Sequence, residues 1–271
     1  MVTDFEYDGM SLSSLGYAIA TFGGIKDGEI DTDSQISFNH TSMMQGKYQP
    51  FSSYTYDDVL KMEFYIVKNM CAYDEDYGKM DFNISVSDMA YLKRWLVRPT
   101  PHELRVIGND DYNGIFWRGS FIIEEYTLGD NRIGAHLTFE CDAPFGYMEN
   151  TIFKGSLNGN DAYEYRCISD EIGWIYPKLI ITLKEDGDLE ISNSHDGRTT
   201  VVKNCQSNEV LTFTNTLQVQ SSFTSHNVMD DFNFVFYRVC NSFDDVINTL
   251  ESNLDIDFRI EYNPYAKAVI V

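Results

Sequence analysis

The chain has 271 residues, 43% hydrophobic and 14% aromatic, with 20 Lys and Arg against 42 Asp and Glu, a formal net charge of −22. That length holds one large or two ordinary domains with adequate cores, and the apolar content argues against disorder. No basic block or basic helix appears, so attraction to nucleic acid or an anionic membrane, which requires clustered positive charge, is not expected, and the acidic balance means solubility or a surface that must not adhere to DNA.

Tyr (18) and Phe (18) are abundant and Pro (6) is scarce, a balance that favours strands. Phe5 and Tyr7, then Leu15 to Phe22, are short apolar pieces punctuated by glycines; they predict a strand, a turn and a second strand. Ile36 and Phe38 alternate, and Met43 to Tyr56, rich in Gln, Ser, Tyr and Gly, is expected to be an arm or long loop. Leu60, Met62, Phe64 and Ile66 alternate with Lys61, Glu63, Tyr65 and Val67, the period of a strand, and Asp74 to Gly78 follow as an acidic loop. A helix is expected from about Ser87 to Leu96, capped by Ser87, with Asp88 at its positive end and a stripe of Met89, Leu92, Trp95 and Leu96. Pro99 and Pro101 end it. Leu104, Val106 and Ile107 begin a strand, Asn109 to Gly114 form a turn, and Ile115–Ile123 with Ile133–Cys141 predict a hairpin. The period-two pattern of Ile133 to Cys141 stops at Asp142-Ala143-Pro144-Phe145-Gly146-Tyr147, which reads as a hinge between domains 1–147 and 148–271.

Glu149 to Gly173 is expected to be a connecting region. Seven short strands then follow: Lys178–Leu183, Leu189–Ser192, Thr199–Lys203, Val210–Thr214, Thr216–Gln220, Phe232–Val239 and Ile256–Tyr262. Turn residues separate them at Asp186-Gly187, His195-Asp196-Gly197 and Asn215, a spacing that predicts an antiparallel sandwich. Asp244 to Leu250 is expected to form one helical turn.

Cys71, Cys141, Cys167, Cys205 and Cys240 form no C-x-x-C pair, so no zinc ribbon or redox motif is supported, and a reducing compartment during synthesis is expected. No signal peptide, membrane-spanning run, phosphate cradle or nucleophile elbow is visible. His40, His102, His136, His195 and His226 lie far apart, and His136 is expected to be a surface residue rather than a ligand. The acidic pairs Asp31/Asp33, Asp57-Asp58, Asp110-Asp111, Glu124-Glu125 and Asp230-Asp231 are weighed against a glycosidase pair and set down to chance in so acidic a chain. Trp95 is expected in the core; Trp117 and Trp174 are expected to pack, with sugar stacking the alternative. No catalytic, cofactor-binding or metal residues are assigned, and no enzyme is expected.

Four segments in order carry a family likeness. Phe5-Glu6-Tyr7-Asp8-Gly9-Met10-Ser11 with Leu15-Gly16, the helix ending Trp95-Leu96 with Leu104 to Tyr112, Phe139-Glu140-Cys141-Asp142-Ala143-Pro144-Phe145, and Leu254 to Pro264 together resemble the distal tail proteins (Dit) of long-tailed bacteriophages. The resemblance covers nearly the whole chain. It implies a mainly β fold: an N-terminal tail-tube-like β-sandwich or split barrel with one helix and an extended hairpin, then a C-terminal galectin-like β-sandwich. It also implies a hexameric ring whose channel continues the tail tube and passes DNA without stable binding. The implied partners are the tail-tube protein, the tail-associated tip protein and a receptor-binding protein, with no membrane insertion. The implied location is the tip, or baseplate, of the virion tail, assembled in the bacterial host cytoplasm. The ordered His-Asn-Arg and Trp-Glu-Arg set of a true galectin sugar site is missing, and the second domain has no large insertion. The alternatives are a carbohydrate-binding module with an aromatic platform near Trp174 or Tyr176, and a glycoside hydrolase with two carboxylates across a cleft.

Overall fold

The computed structural model describes residues 2–20, 36–41, 50–56, 58–69, 82–108, 110–159, 161–241 and 246–267. The chain is mainly β and divides into two compact units, the first running to Tyr147 and the second covering Met148–Ala266.

The first unit contains β1 (Asp4–Tyr7), β2 (Met10–Ser11), β3 (Tyr17–Ile19), β4 (Ile36–His40), β5 (Phe51–Tyr56), β6 (Lys61–Lys68), α1 (Val86–Leu96), β7 (His102–Ile107), β8 (Ile115–Leu128) and β9 (Asn131–Cys141), and ends in β10 (Gly146–Met148). Its main sheet has the order β2-β1-β7-β8-β9-β6-β3. The two ends of that path are neighbours in sequence. Leu12–Gly16, including a 3-10 turn at Ser13–Leu15, must bridge from β2 to β3. That link reaches roughly 20 Å when fully extended. A flat sheet would hold β2 and β3 roughly 29 Å apart. The sheet therefore curls until its ends approach, which makes a split barrel.

Alternation decides the faces. Met62, Phe64 and Ile66 of β6 are buried, as are Ala135, Leu137, Phe139 and Cys141 of β9, and the register sets Met62 opposite Phe139 and Phe64 opposite Leu137. Helix α1 closes this core with Met89, Leu92, Trp95 and Leu96. Trp95 stacks on Phe5 and donates its indole N–H to the Tyr7 carbonyl at 3.0 Å. Phe5 also contacts Phe64 and Phe121, with ring centroids 5.2 and 5.4 Å away.

Ser85, not Ser87, caps α1. The Ser85 hydroxyl accepts from the Asp88 N–H at 3.0 Å while Asp88 accepts from the Ser85 N–H at 3.3 Å, a reciprocal box that needs an acid three residues on. The β8–β9 hairpin runs beyond Ile123 to a tight turn at Gly129-Asp130, because Glu124 to Leu128 pair with Asn131 to His136 while their side chains lie largely in solvent. Phe51–Tyr56, expected within an arm or loop, is a strand paired with β4; Met43 to Gln49 of that arm, the acidic loop and Cys71 lie outside the described residues.

The second unit contains β11 (Thr151–Leu157), β12 (Ala162–Arg166), β13 (Gly173–Ile175), β14 (Lys178–Leu183), β15 (Gly187–Ser192), β16 (Thr199–Cys205), β17 (Val210–Phe213), β18 (Val219–Ser221), α2 (Val228–Asp231), β19 (Val239–Asn241), β20 (Ile247–Ser252), β21 (Ile256–Tyr262) and β22 (Tyr265–Ala266). One sheet has the order β11-β21-β14-β17-β18 and the other β12-β20-β15-β16. Leu179, Ile181, Leu211, Phe213, Phe258 and Ile260 of the first meet Tyr165, Leu189, Ile191, Val202 and Leu250 of the second in one core, so the unit is a two-sheet sandwich.

Four expectations fail here. The supposed connector Glu149 to Gly173 holds β11 and β12; small Gly155 and Ser156 interrupt the apolar signal of β11. The expected helical turn at Asp244 to Leu250 is instead β20 from Ile247 onward, whose inward residues are Asn248, Leu250 and Ser252. Thr216 to Gln220 turns before β18 begins at Val219. Phe232 to Val239 is not a continuous strand: Phe232 bridges to Val202, and Phe234 adopts φ 59°, which breaks the extended run.

Candidate assembly surfaces

The described residues weighed for chemistry fall into scattered pairs, His136 with Glu124 and His226 with Asp231 among them. Glu125 binds Lys93 and Arg132 at 2.7 and 2.6 Å, and these partners hold its carboxyl below the usual range, while neighbouring Glu124 points away. Asp230 accepts from Asn227, whereas Asp231 accepts from Asn204 and lies 3.3 Å from His226. Asp58 pairs with Lys61 and Asp110 with Asn113. Asp31 and Asp33 lie outside the described residues. Among the described residues no group of three or more His, Cys, Asp and Glu side chains is placed to hold a metal ion.

His136 is less open than expected: its ring stacks on Tyr65 at 4.6 Å and lies 3.4 Å from both Glu63 and Glu124 across the sheet, leaving 16% of the side chain exposed. His40 sits exposed on β4, and His102 pairs with Asp8 at 3.0 Å. His195 bonds the Ile247 carbonyl.

His226 is buried with Glu209. Glu209 accepts from the Gln206 N–H at 2.9 Å and from the Ser221 hydroxyl and His226 Nδ1 at 2.5 Å each. Burial alone would raise the Glu209 carboxyl, but those three donors outweigh it and hold it below the usual range. The set has the residue types of a Ser-His-acid triad with the wrong wiring. Ser221 bonds the acid and not the imidazole, so no base is aimed at its hydroxyl. It locks the turn after β16 onto β18.

Trp95 and Trp117 are core residues. Trp174, on β13, is 36% exposed, and the Arg238 guanidinium lies 3.9 Å over its ring. Arg238 and Arg198 both grip Asp196, at 2.6 to 3.0 Å. One ring face is thus taken by a cation held in place, which removes it as a stacking platform. Cys141, Cys167 and Cys205 are buried free thiols; burial pushes Cys167 up to about 11 and Cys205 up to about 12, so they are inert packing residues.

What the structure offers instead is surface. Among the described residues β4 and β5 pair only with each other, and every residue of β4 is exposed. Ile36 is 39% exposed there, and on the far half of β8 Ile122 and Leu128 are 53% and 70% exposed.

Residues 1–143 match a family model described as a phage tail protein N-terminal domain, and residues 145–262 match one described as a phage tail C-terminal domain. The chain belongs to this phage tail protein family. No curated protein matches it. Among solved structures, the tail protein is similar to the Dit protein of phage SPP1, described as a paradigm of the hub adsorption apparatus in phages infecting Gram-positive bacteria. That likeness has a TM-score of 0.62 at 10% identity and spans 97% of this chain and 99% of the other. The likeness to distal tail proteins drawn from the sequence is thus present in the fold. No helix among the tail protein's described residues is long and apolar enough to cross a membrane.

Proposed function

We propose that the protein is the non-enzymatic structural hub of a phage tail tip. Domain 1–147 closes a hexameric ring around a channel that continues the tail tube. Domain 148–271, a galectin-like sandwich, faces outward and docks other tail proteins, the receptor-binding protein among them. The tip protein joins the opposite face of the ring, and assembly takes place in the host cytoplasm.

The observation that carries this reading is the fold agreement over nearly the full length of both chains. Match of a single domain would leave the architecture open; agreement through both domains fits one shared scaffold. The exposed β4–β5 and β8–β9 hairpins support it, because a ring lets each subunit cover its neighbour's open edges and closes without a free end. The net charge of −22 suits a channel through which DNA slides without adhering.

Negative-stain microscopy and light scattering of the purified protein, alone and with the tail-tube protein, test the proposal. Rings of uniform diameter that stack on tubes are the expected outcome. A protein that stays monomeric at high concentration and ignores both tube and tip proteins would sink it.

A further inference from the structure

The two outer faces of the second unit carry opposite charge, which the hub reading leaves unexplained. Alternate side chains of each strand enter the core, and those between them face solvent. On the sheet β11-β21-β14-β17-β18 the outward positions hold Lys154, Lys178 and Arg259, with Lys184 just past β14, against two acids, Asp257 and Glu261. On the sheet β12-β20-β15-β16 they hold Glu164, Asp188, Glu190 and Glu251 against two bases, Arg166 and Lys203. In a chain of net charge −22, one face thus has an excess of base.

The basic face is not balanced from within. Lys184 is occupied by Asp257 at 2.7 Å, while Arg259 and Lys178 share the one carboxylate of Glu261. Lys154 forms no ion pair among the described residues, and the register sets it directly opposite Arg259. Like charges facing each other across a strand pair repel. A shallow groove of about 590 Å³ crosses this face, lined by both of these bases together with Ser156, Ile180, Thr182 and Asp257.

The acidic face is its counterpart. Glu164, Glu251 and Glu190 stand on three neighbouring strands, β12, β20 and β15, as Lys154, Arg259 and Lys178 do on β11, β21 and β14. Glu251 lies opposite Ala162 and Ser192, each two residues from the next acid along its strand, so the three acids run in a diagonal with steps of about 7–8 Å. Glu164 and Glu190 form no ion pair among the described residues, and Glu251 accepts from the Ser192 hydroxyl at 3.1 Å.

The occupant follows from these charges. The two sheets pack back to back on one core, so a single unit cannot bring its own outer faces together. A second copy can, because it presents the missing acids in a matching row. Net charge does not forbid the contact. At physiological salt, exposed charges more than about 8 Å apart are largely screened, whereas charges in contact are not. A contact between unlike faces is head-to-tail, the kind that makes a ring when its rotation closes.

We infer that the basic face of the second unit seats against the acidic face of the second unit of another copy, Lys154, Arg259 and Lys178 meeting Glu164, Glu251 and Glu190. The inference rests on the hub reading, in which copies stand side by side in a ring, and names one contact of that ring.

The test uses an equal mixture of unlabelled and heavy-nitrogen-labelled full-length protein, treated with a zero-length carbodiimide that joins lysines to carboxylates in contact. Cross-linked peptides with one unlabelled and one heavy half come from two copies. Such mixed peptides should join Lys154 or Lys178 to Glu164, Glu190 or Glu251. Arg259→Glu removes no lysine, yet in a folded protein it should cut the yield about tenfold, and adding Glu251→Arg should restore it. The absence of mixed peptides at these positions overturns the inference, as does a yield unchanged by Arg259→Glu. So do mixed peptides joining Lys154 to acids of the first unit, because the occupant is then a different surface. Negative-stain images of the same samples are scored for rings. Rings without these cross-links sink the contact and leave the hub reading standing, and missing rings count against that reading separately.

Discussion

At the scale of single residues, close approach and buried polarity limit what individual positions can hold. Gly119 of β8 faces Cys141, and a Cβ there would sit 2.1 Å from the Glu140 carbonyl oxygen and 2.8 Å from the Phe139 ring. The obstacle is backbone in a central strand pair and cannot step aside. Gly119→Ala should therefore destabilise the first unit by about 3 kcal/mol, at the upper end for overpacking. Thermal melting checks it; a change below about 0.5 kcal/mol would mean the strands separate more easily than their packing implies. Asn248 plays the matching part in the second unit. Fully buried, it accepts from the Cys240 N–H and from Asn193 and donates to the Cys240 carbonyl, tying β20 to β19 with every polar atom engaged.

At the scale of elements, the same residue explains what is legible in the sequence and what is not. Strands with an apolar inner face are plain: Lys178–Leu183 and Ile256–Tyr262 have the predicted bounds, and β6 follows its predicted alternation. β20 is hidden because Asn248 and Ser252 look like surface residues until their partners are known. Phe232, Phe234 and Phe236 mimic a strand by alternating, but the left-handed turn at Phe234 is a tertiary choice that periodicity cannot carry. The helix cap shows a legible signal that is easily misread. Ser85-Val86-Ser87-Asp88 contains two candidate serines, and only the one three residues before the acid closes the box. Ser85→Ala should cost about 1 kcal/mol and Ser87→Ala close to nothing in urea unfolding. Equal losses would show that the reciprocal bond contributes little.

At the scale of the molecule, acid is the predicted weakness. Asp196 is buried, which raises its carboxyl, but Arg238 and Arg198 more than offset this and hold it low; Glu209 is likewise held low by its donors. A carboxyl depressed in the folded state stabilises fully above its unfolded value, near about 4. That share is lost as pH falls through the folded value, because the unfolded chain takes up protons first. Urea unfolding at about pH 7, 5 and 4 should show stability falling mainly over the last step, and Glu209→Gln should flatten that fall. A variant whose acid response matches the parent's would assign the effect elsewhere. Both of these carboxylates lie in the second unit, and Glu125, held low by Lys93 and Arg132, adds a more exposed one in the first.

The curled sheet of the first unit has a consequence for synthesis. β1 pairs with β7, setting Asp4 opposite Ile107, and Phe5 is sealed only when α1 and β8 are in place. At ordinary translation rates of about 5–20 residues per second, the first strand waits roughly 5–20 seconds for its partner to be made. Throughout that interval β1 has only the two-residue β2 to pair with, too little to bury Phe5 and Tyr7. A nascent chain halted before His102 should therefore be captured by chaperones or aggregate, whereas one released after Tyr147 should fold, a contrast that stalled-ribosome proteolysis would reveal.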